Sequence, residues 1–128
     1  MQKNLTGKTA FVTGGAHGIG RGIVEALRLT GAGVAFCDTD TVQGEAIARS
    51  TGAAFYPADV ADVAALRDAR EAACERFGDI GILVNNAGIS EFSPLAETTP
   101  EQFDRVFAVN LRSVFVTAQW MAARRNTP

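Results

Sequence analysis

The stretch Thr13-Gly14-Gly15-Ala16-His17-Gly18-Ile19-Gly20 places Gly14, Gly18 and Gly20 within eight residues, and its surroundings give those glycines a use. Thr9-Ala10-Phe11-Val12 before it is a short apolar run that reads as a buried strand. After it, Ile19, Ile23 and Leu27 recur every four residues, the spacing of one helix face, until Gly31 and Gly33 end the pattern. A strand, a tight glycine turn and a helix start make an anion site. Backbone can approach a pyrophosphate only where side chains are missing, and the first N–H groups of the helix point at it. Gly14, Ala16, His17, Gly18, Ile19 and Gly20 are therefore the candidate diphosphate residues. The alternative is a flexible turn with incidental glycines.

Asp38, 18 residues beyond Gly20, is the second chemically informative position. It ends a second apolar run, Gly33–Cys37, where an acidic side chain would meet an adenosine ribose. A carboxylate accepts hydrogen bonds from a 2′-hydroxyl and repels a 2′-phosphate. At an effective dielectric near 20, like charges about 4 Å apart cost on the order of 4 kcal/mol before salt screening. A neutral hydrogen bond contributes only about 1 kcal/mol net. Repulsion dominates, and neither His17 nor Thr39 beside the site carries a fixed positive charge. The expectation is NAD rather than NADP. The competing reading of Asp38 is an ordinary surface-turn aspartate.

These residues need a frame, and the rest of the chain supplies one. The 128 residues are 47% hydrophobic and 20% charged, with a net charge of −2, which fits one globular domain over residues 1–128. No basic block marks a nucleic-acid surface. The apolar runs Val34–Cys37 and Ile82–Val84 fall far short of the roughly 18 residues of a membrane span. Met1-Gln2-Lys3-Asn4 leaves no room for a signal peptide before the first strand. Cys37 and Cys74 have no metal-ligand spacing and read as reduced thiols, so no metal is expected and the setting expected is cytoplasmic.

Strands and helices alternate along the whole chain. A helix is expected over Thr41–Ser50, a third strand over Ala53–Tyr56, and a helix from an Asp62 cap through Phe77, closed by Gly78. A fourth strand, Ile80–Val84, runs into Asn85-Asn86-Ala87-Gly88. A loop from Ile89 to Thr98 leads to Thr99-Pro100-Glu101-Gln102, a capping-box pattern that opens a final helix reaching about Arg125. This alternation predicts an α/β fold with a parallel sheet covered on both faces.

Taken together, Thr13-Gly14-x-x-x-Gly18-x-Gly20, Asp59-Val60, Asn85-Asn86-Ala87-Gly88 and Asn110 resemble the short-chain dehydrogenase/reductase family in order and spacing. The resemblance runs from Leu5 to Arg125. It implies a Rossmann-type doubly wound parallel sheet, truncated after the fourth strand and its helix, with strand order 3-2-1-4. It also implies that Asp59 and Val60 lie beside the adenine, and that Asn86, Ala87 and Gly88 border the cofactor while Asn85–Gly88 steadies the central sheet. Asp59 could instead help to start a helix, and Asn-Ala-Gly could be turn chemistry at a strand end.

Asn110 lies within an apolar stripe of the last helix formed by Phe103, Phe107, Val114, Ala118 and Met121. A short amide there either satisfies a backbone irregularity or serves a site. The resemblance implies that it kinks the helix and holds a water in a proton relay, which makes it the one candidate catalytic residue. Trp120 and Ser113 need only a packing role. Gly81 stands where many relatives have Asp. The segment Ser90-Glu91-Phe92-Ser93-Pro94 is placed to touch a substrate without identifying it.

Family members also carry a serine on a fifth strand and a Tyr-x-x-x-Lys pair. Here the one tyrosine is Tyr56, followed four places later by Val60, and the lysines are Lys3 and Lys8. The resemblance therefore places this chain as the N-terminal half of the domain, able to form the adenosine half of the site and inactive alone. It leaves the fourth strand as an open edge and the apolar stripe of the last helix as a surface for homo-oligomers. Three readings compete: an alcohol/ketone oxidoreductase of which this is part, a catalytically empty dinucleotide-binding module, and a scaffold without cofactor.

Overall fold

Four parallel strands form one sheet in the order β3-β2-β1-β4, as expected. In the computed structural model, which describes residues 4–125, strands and helices alternate strictly through β4. The elements are β1 (Thr9–Thr13), α1 (Gly18–Leu29), β2 (Gly33–Asp38), α2 (Thr41–Thr51), β3 (Ala54–Pro57), α3 (Val63–Phe77) and β4 (Ile82–Val84). Then come a 3₁₀ turn (Leu95–Glu97), α4 (Pro100–Phe107), a π-helical segment (Ala108–Arg112) and α5 (Ser113–Arg125). Met1–Lys3, on which the signal-peptide argument rests, and the last three residues lie outside the described residues.

The period-two alternation of a strand explains the layers. Ala10 and Val12 of β1 join Val34 and Phe36 of β2 on one face, against Val24 of α1 and Ile47 of α2. Phe11, Ala35 and Cys37 face the other way, against Leu66, Ala69 and Ala73 of α3 and Val109 and Val116 beyond it. Every residue of β1 is buried, as a strand covered on both faces requires. Phe11, Phe36 and Leu66 are essentially inaccessible to water, and each such side chain contributes about 1.5–3 kcal/mol of transfer free energy.

The helix ends obey their sequence signals. Asp62 accepts the Ala65 amide at 3.1 Å as the cap of α3. Thr99 and Gln102 close a reciprocal capping box at the start of α4 (3.1 and 2.7 Å). No helix among the described residues is long and apolar enough to cross a membrane.

Four expectations need correction. The third strand starts and ends one residue later than expected, and β4 begins at Ile82, two residues later, with the Gly81 amide donating to the Thr9 carbonyl just ahead of the paired residues. Ile19 is not on the buried face of α1: it is 79% exposed, because the first turn overhangs the strand ends where no core lies beneath it. The final helix is not one continuous helix with the stripe Phe103, Phe107, Val114, Ala118 and Met121 on a single face. The π turn takes up an extra residue and rotates α5 relative to α4. The buried face runs through Ala108, Val109, Ser113, Val116 and Thr117, while Phe103, Phe107, Leu111 and Phe115 are exposed.

Candidate functional site

The glycine turn is built by exclusion. A Cβ on Gly20 would stand 1.9 Å from the Gly14 carbonyl oxygen and 2.4 Å from Asn86 Nδ2, so no side chain fits there. Gly18 differs: a Cβ would meet nothing within 4 Å, but φ is +54°, a left-handed value that disfavours other residues. Beside Gly18 there is open space, and no side chain caps α1, where His17 holds the cap position in extended conformation. The first turn contains no acidic residue that would compete with an anion for its amides.

Thr13 and Asn86 fasten this turn to the end of β4. Thr13 Oγ1 accepts the Asn86 and Ala87 amides, both at 3.0 Å. Asn86 Nδ2 donates to the carbonyls of Thr13 (3.2 Å) and Gly14 (3.0 Å). Asn85 accepts from Thr117 Oγ1 of α5 at 2.8 Å, which carries the same bracing into the last helix.

Asp38 sits at the end of β2, half-buried, and its two oxygens accept the Ala16 amide (3.1 Å) and the Asp40 amide (3.0 Å). It thus ties the glycine turn to the start of α2. A second carboxylate, Asp40, pairs with His17 Nε2 at 2.7 Å. The Gln43 amide, and then His17, hold the Asp40 carboxyl below the usual carboxylate range. The His17 ring beside the cleft is therefore already engaged by an acid.

A cleft of about 290 Å³ opens among these groups. It is lined by Gly14, His17, Asp38, Thr39, Asp59, Val60, Asn86, Ala87 and Gly88 from the expected set, joined by Cys37, Ala58, Ile89, Arg105 and Val109. Of the other expected residues, Ala16 binds Asp38, Gly20 packs on Asn86, and Gly18 and Ile19 form the overhanging first turn of α1. Asn110 lies in the π-helical segment and grips the loop after β4: its Oδ1 accepts the Ile89 amide at 2.8 Å and its Nδ2 donates to the Ile89 carbonyl at 2.7 Å. Burial pushes the Cys37 thiol up to about 12, so it is a packing group in the cleft wall. No group of His, Cys, Asp and Glu among the described residues could hold a metal ion.

Sequence reasoning missed Arg105. Its Nη1 donates to Asp59 Oδ2 at 2.8 Å across 46 residues of chain. Partial burial opposes ionisation of Asp59, but the Ala61 amide and the Arg105 guanidinium prevail and hold its carboxyl below the usual range. No local spacing announces this pair.

Residues 8–125 match a family model described as short chain dehydrogenase. The chain is 39% identical over 120 residues to a sorbitol dehydrogenase of Cereibacter sphaeroides, covering 92% of this chain and 47% of that protein. Among solved structures it resembles a blue fluorescent protein from a metagenomic library in complex with NADPH (TM-score 0.88, 39% identity, 98% of this chain and 53% of that one). It also resembles a 3-ketoacyl-(acyl-carrier-protein) reductase from Brucella melitensis complexed with NADH (TM-score 0.87, 36% identity, 92% and 50%). The chain spans about half the length of the curated relatives it matches.

Proposed function

Because this chain belongs to the short-chain dehydrogenase family, we propose that residues 1–128 form the NAD-binding part of an oxidoreductase that interconverts an alcohol and a ketone. The observation that carries this reading is the cleft itself: His17 at the uncapped start of α1, Gly14 of the glycine turn and the Asp38 carboxylate at the end of β2 line one opening. The amides of Gly18, Ile19 and Gly20 would hold the diphosphate, and exposed Ile19 offers an apolar side chain for the bound nucleotide to cover. When bound, the nicotinamide supplies or accepts the hydride. Asn110 is the residue proposed for the catalytic side, since it fixes the Ile89 backbone beside the cleft and a water there would have a polar anchor.

Solved relatives carry NADPH in one case and NADH in another, so the family alone leaves the choice of cofactor open. The preference proposed for NAD rests on Asp38, with Asp40 close by and already paired with His17. Among the described residues, a 2′-phosphate would meet two carboxylates and no uncommitted cation at this corner. Titration calorimetry with both nucleotides tests this: NAD should bind at least about tenfold more tightly, the equivalent of about 1.4 kcal/mol. Tighter binding of NADP would reverse the assignment of Asp38.

A second reading, a dinucleotide-binding module without catalysis of its own, is favoured by the fate of Tyr56. This tyrosine donates to the Ala72 carbonyl at 3.3 Å, committed to α3 rather than to the cleft. The purified 128-residue chain is accordingly proposed to turn over no alcohol. NADH formation by material of verified mass would reject that. The partner proposed besides a small alcohol or ketone is a second copy of the chain, docked through the exposed face of α4 and α5. The setting proposed is the cytoplasm, away from nucleic acid and membrane, which the two free cysteines fit.

A further inference from the structure

The geometry points to Arg105 as a positioning residue that fixes the Asp59 carboxylate at the cleft and so makes the site selective for a purine bearing an amino group. This inference rests on the nucleotide reading of the cleft. Both residues line it, and each is only partly exposed. The Asp59 carboxylate is held on two sides: Oδ1 accepts the Ala61 amide at 2.9 Å and Oδ2 accepts Arg105 Nη1 at 2.8 Å. The turn carrying it is held as well. The Asp62 amide donates to the Asp59 carbonyl at 2.9 Å, and Arg112 Nη2 donates to the Ala61 carbonyl at 2.6 Å. Two arginines seven residues apart, one on α4 and one in the π segment, thus converge on a single short turn between β3 and α3.

A carboxylate kept ionised by Arg105 is an acceptor only. It can receive an exocyclic N–H from an adenine ring, and it repels the carbonyl oxygen that replaces that amine in hypoxanthine. Freed from Arg105, the Asp59 side chain would keep one anchor instead of two and lose its fixed direction. Arg105 acts through Asp59. It need not touch the base.

A structural role would predict something different. If Arg105 served only to hold α4 against the sheet, its loss would weaken every ligand of the cleft equally. The test is calorimetry on the 128-residue chain with NAD and with nicotinamide hypoxanthine dinucleotide, in which a carbonyl oxygen replaces the amine. The wild-type chain should prefer NAD by about fivefold to tenfold, and Arg105→Gln should reduce that ratio to within about twofold, chiefly by weakening NAD. Arg105→Lys, which keeps the charge but donates at one point, should give an intermediate ratio and serves in place of the glutamine variant if the latter does not fold. An unchanged ratio, with or without a general loss of affinity, overturns the role given to Arg105. A wild-type chain that binds both dinucleotides equally overturns it too. Binding of neither by well-folded wild-type chain removes the nucleotide reading itself, a separate outcome.

Discussion

The polar end of the sheet and its open flank meet opposite conditions. At the C-terminal ends of β1 and β2, the glycine turn, Asp38 and Asn86 satisfy one another through interlocking hydrogen bonds of 3.0 to 3.2 Å. On the flank, β4 is an edge, and α4, the π segment and α5 present Phe103, Phe107, Leu111 and Phe115 to water. Phe103 and Phe107 stack on each other with ring centres 4.4 Å apart, yet both stay exposed among the described residues. In the first region polar groups are arranged around a space, as a ligand site requires. In the second an apolar surface lies open, as a docking face requires.

That contrast breaks first at Gly20. Gly20→Ala places a Cβ against the Gly14 carbonyl and Asn86, so it should cost about 3 kcal/mol of folding stability in urea denaturation. A loss under about 0.5 kcal/mol would show that the turn can yield. Asn86→Ala removes both side-chain bonds to the turn and should cost about 2 kcal/mol by the same measurement.

A smaller effect should come from pH. Asp40 and Asp59 both have carboxyls lowered from 3.8, so their contribution to stability is complete above that value and is lost as pH falls through and below it. The urea midpoint should therefore drop between about pH 5 and pH 3, and drop less in Arg105→Gln, whose Asp59 has lost a partner. Equal pH dependence in the two chains would contradict the pairing. The smallest effect on stability, within about 0.5 kcal/mol, is expected from Phe107→Glu combined with Leu111→Glu on the open face. The same change should abolish the self-association proposed for this face and leave a monomer by sedimentation. Unchanged association would place the docking surface elsewhere.

Local chemistry was legible in the sequence, and long-range chemistry was not. The strand order and the caps at Asp62 and Thr99 come from signals that act within a few residues or from one motif read whole. The bond from the Ala16 amide to Asp38, by contrast, spans 22 residues and was not read from the sequence. The Asp59–Arg105 pair joins residues whose proximity depends on how α4 returns over the sheet, and no spacing encodes that. The exposed position of Ile19 depends on where the core ends, which a four-residue period cannot reveal. The π segment is a similar case. A sequence read at one helical period assigns a single stripe, and an extra residue in the turn at Ala108–Arg112 moves the buried face onto Val109, Ser113 and Val116. Asn110, at the centre of that turn, was the one local sign that the helix would not be regular.

Every role proposed for the cleft requires an anion seated at the start of α1, and backbone amide NMR observes that directly. On titration with NAD, the resonances of Gly18, Ile19 and Gly20 should move together and saturate with the same dissociation constant as calorimetry reports. Resonances that stay fixed at millimolar NAD, or that stay fixed while shifts appear elsewhere, would contradict it.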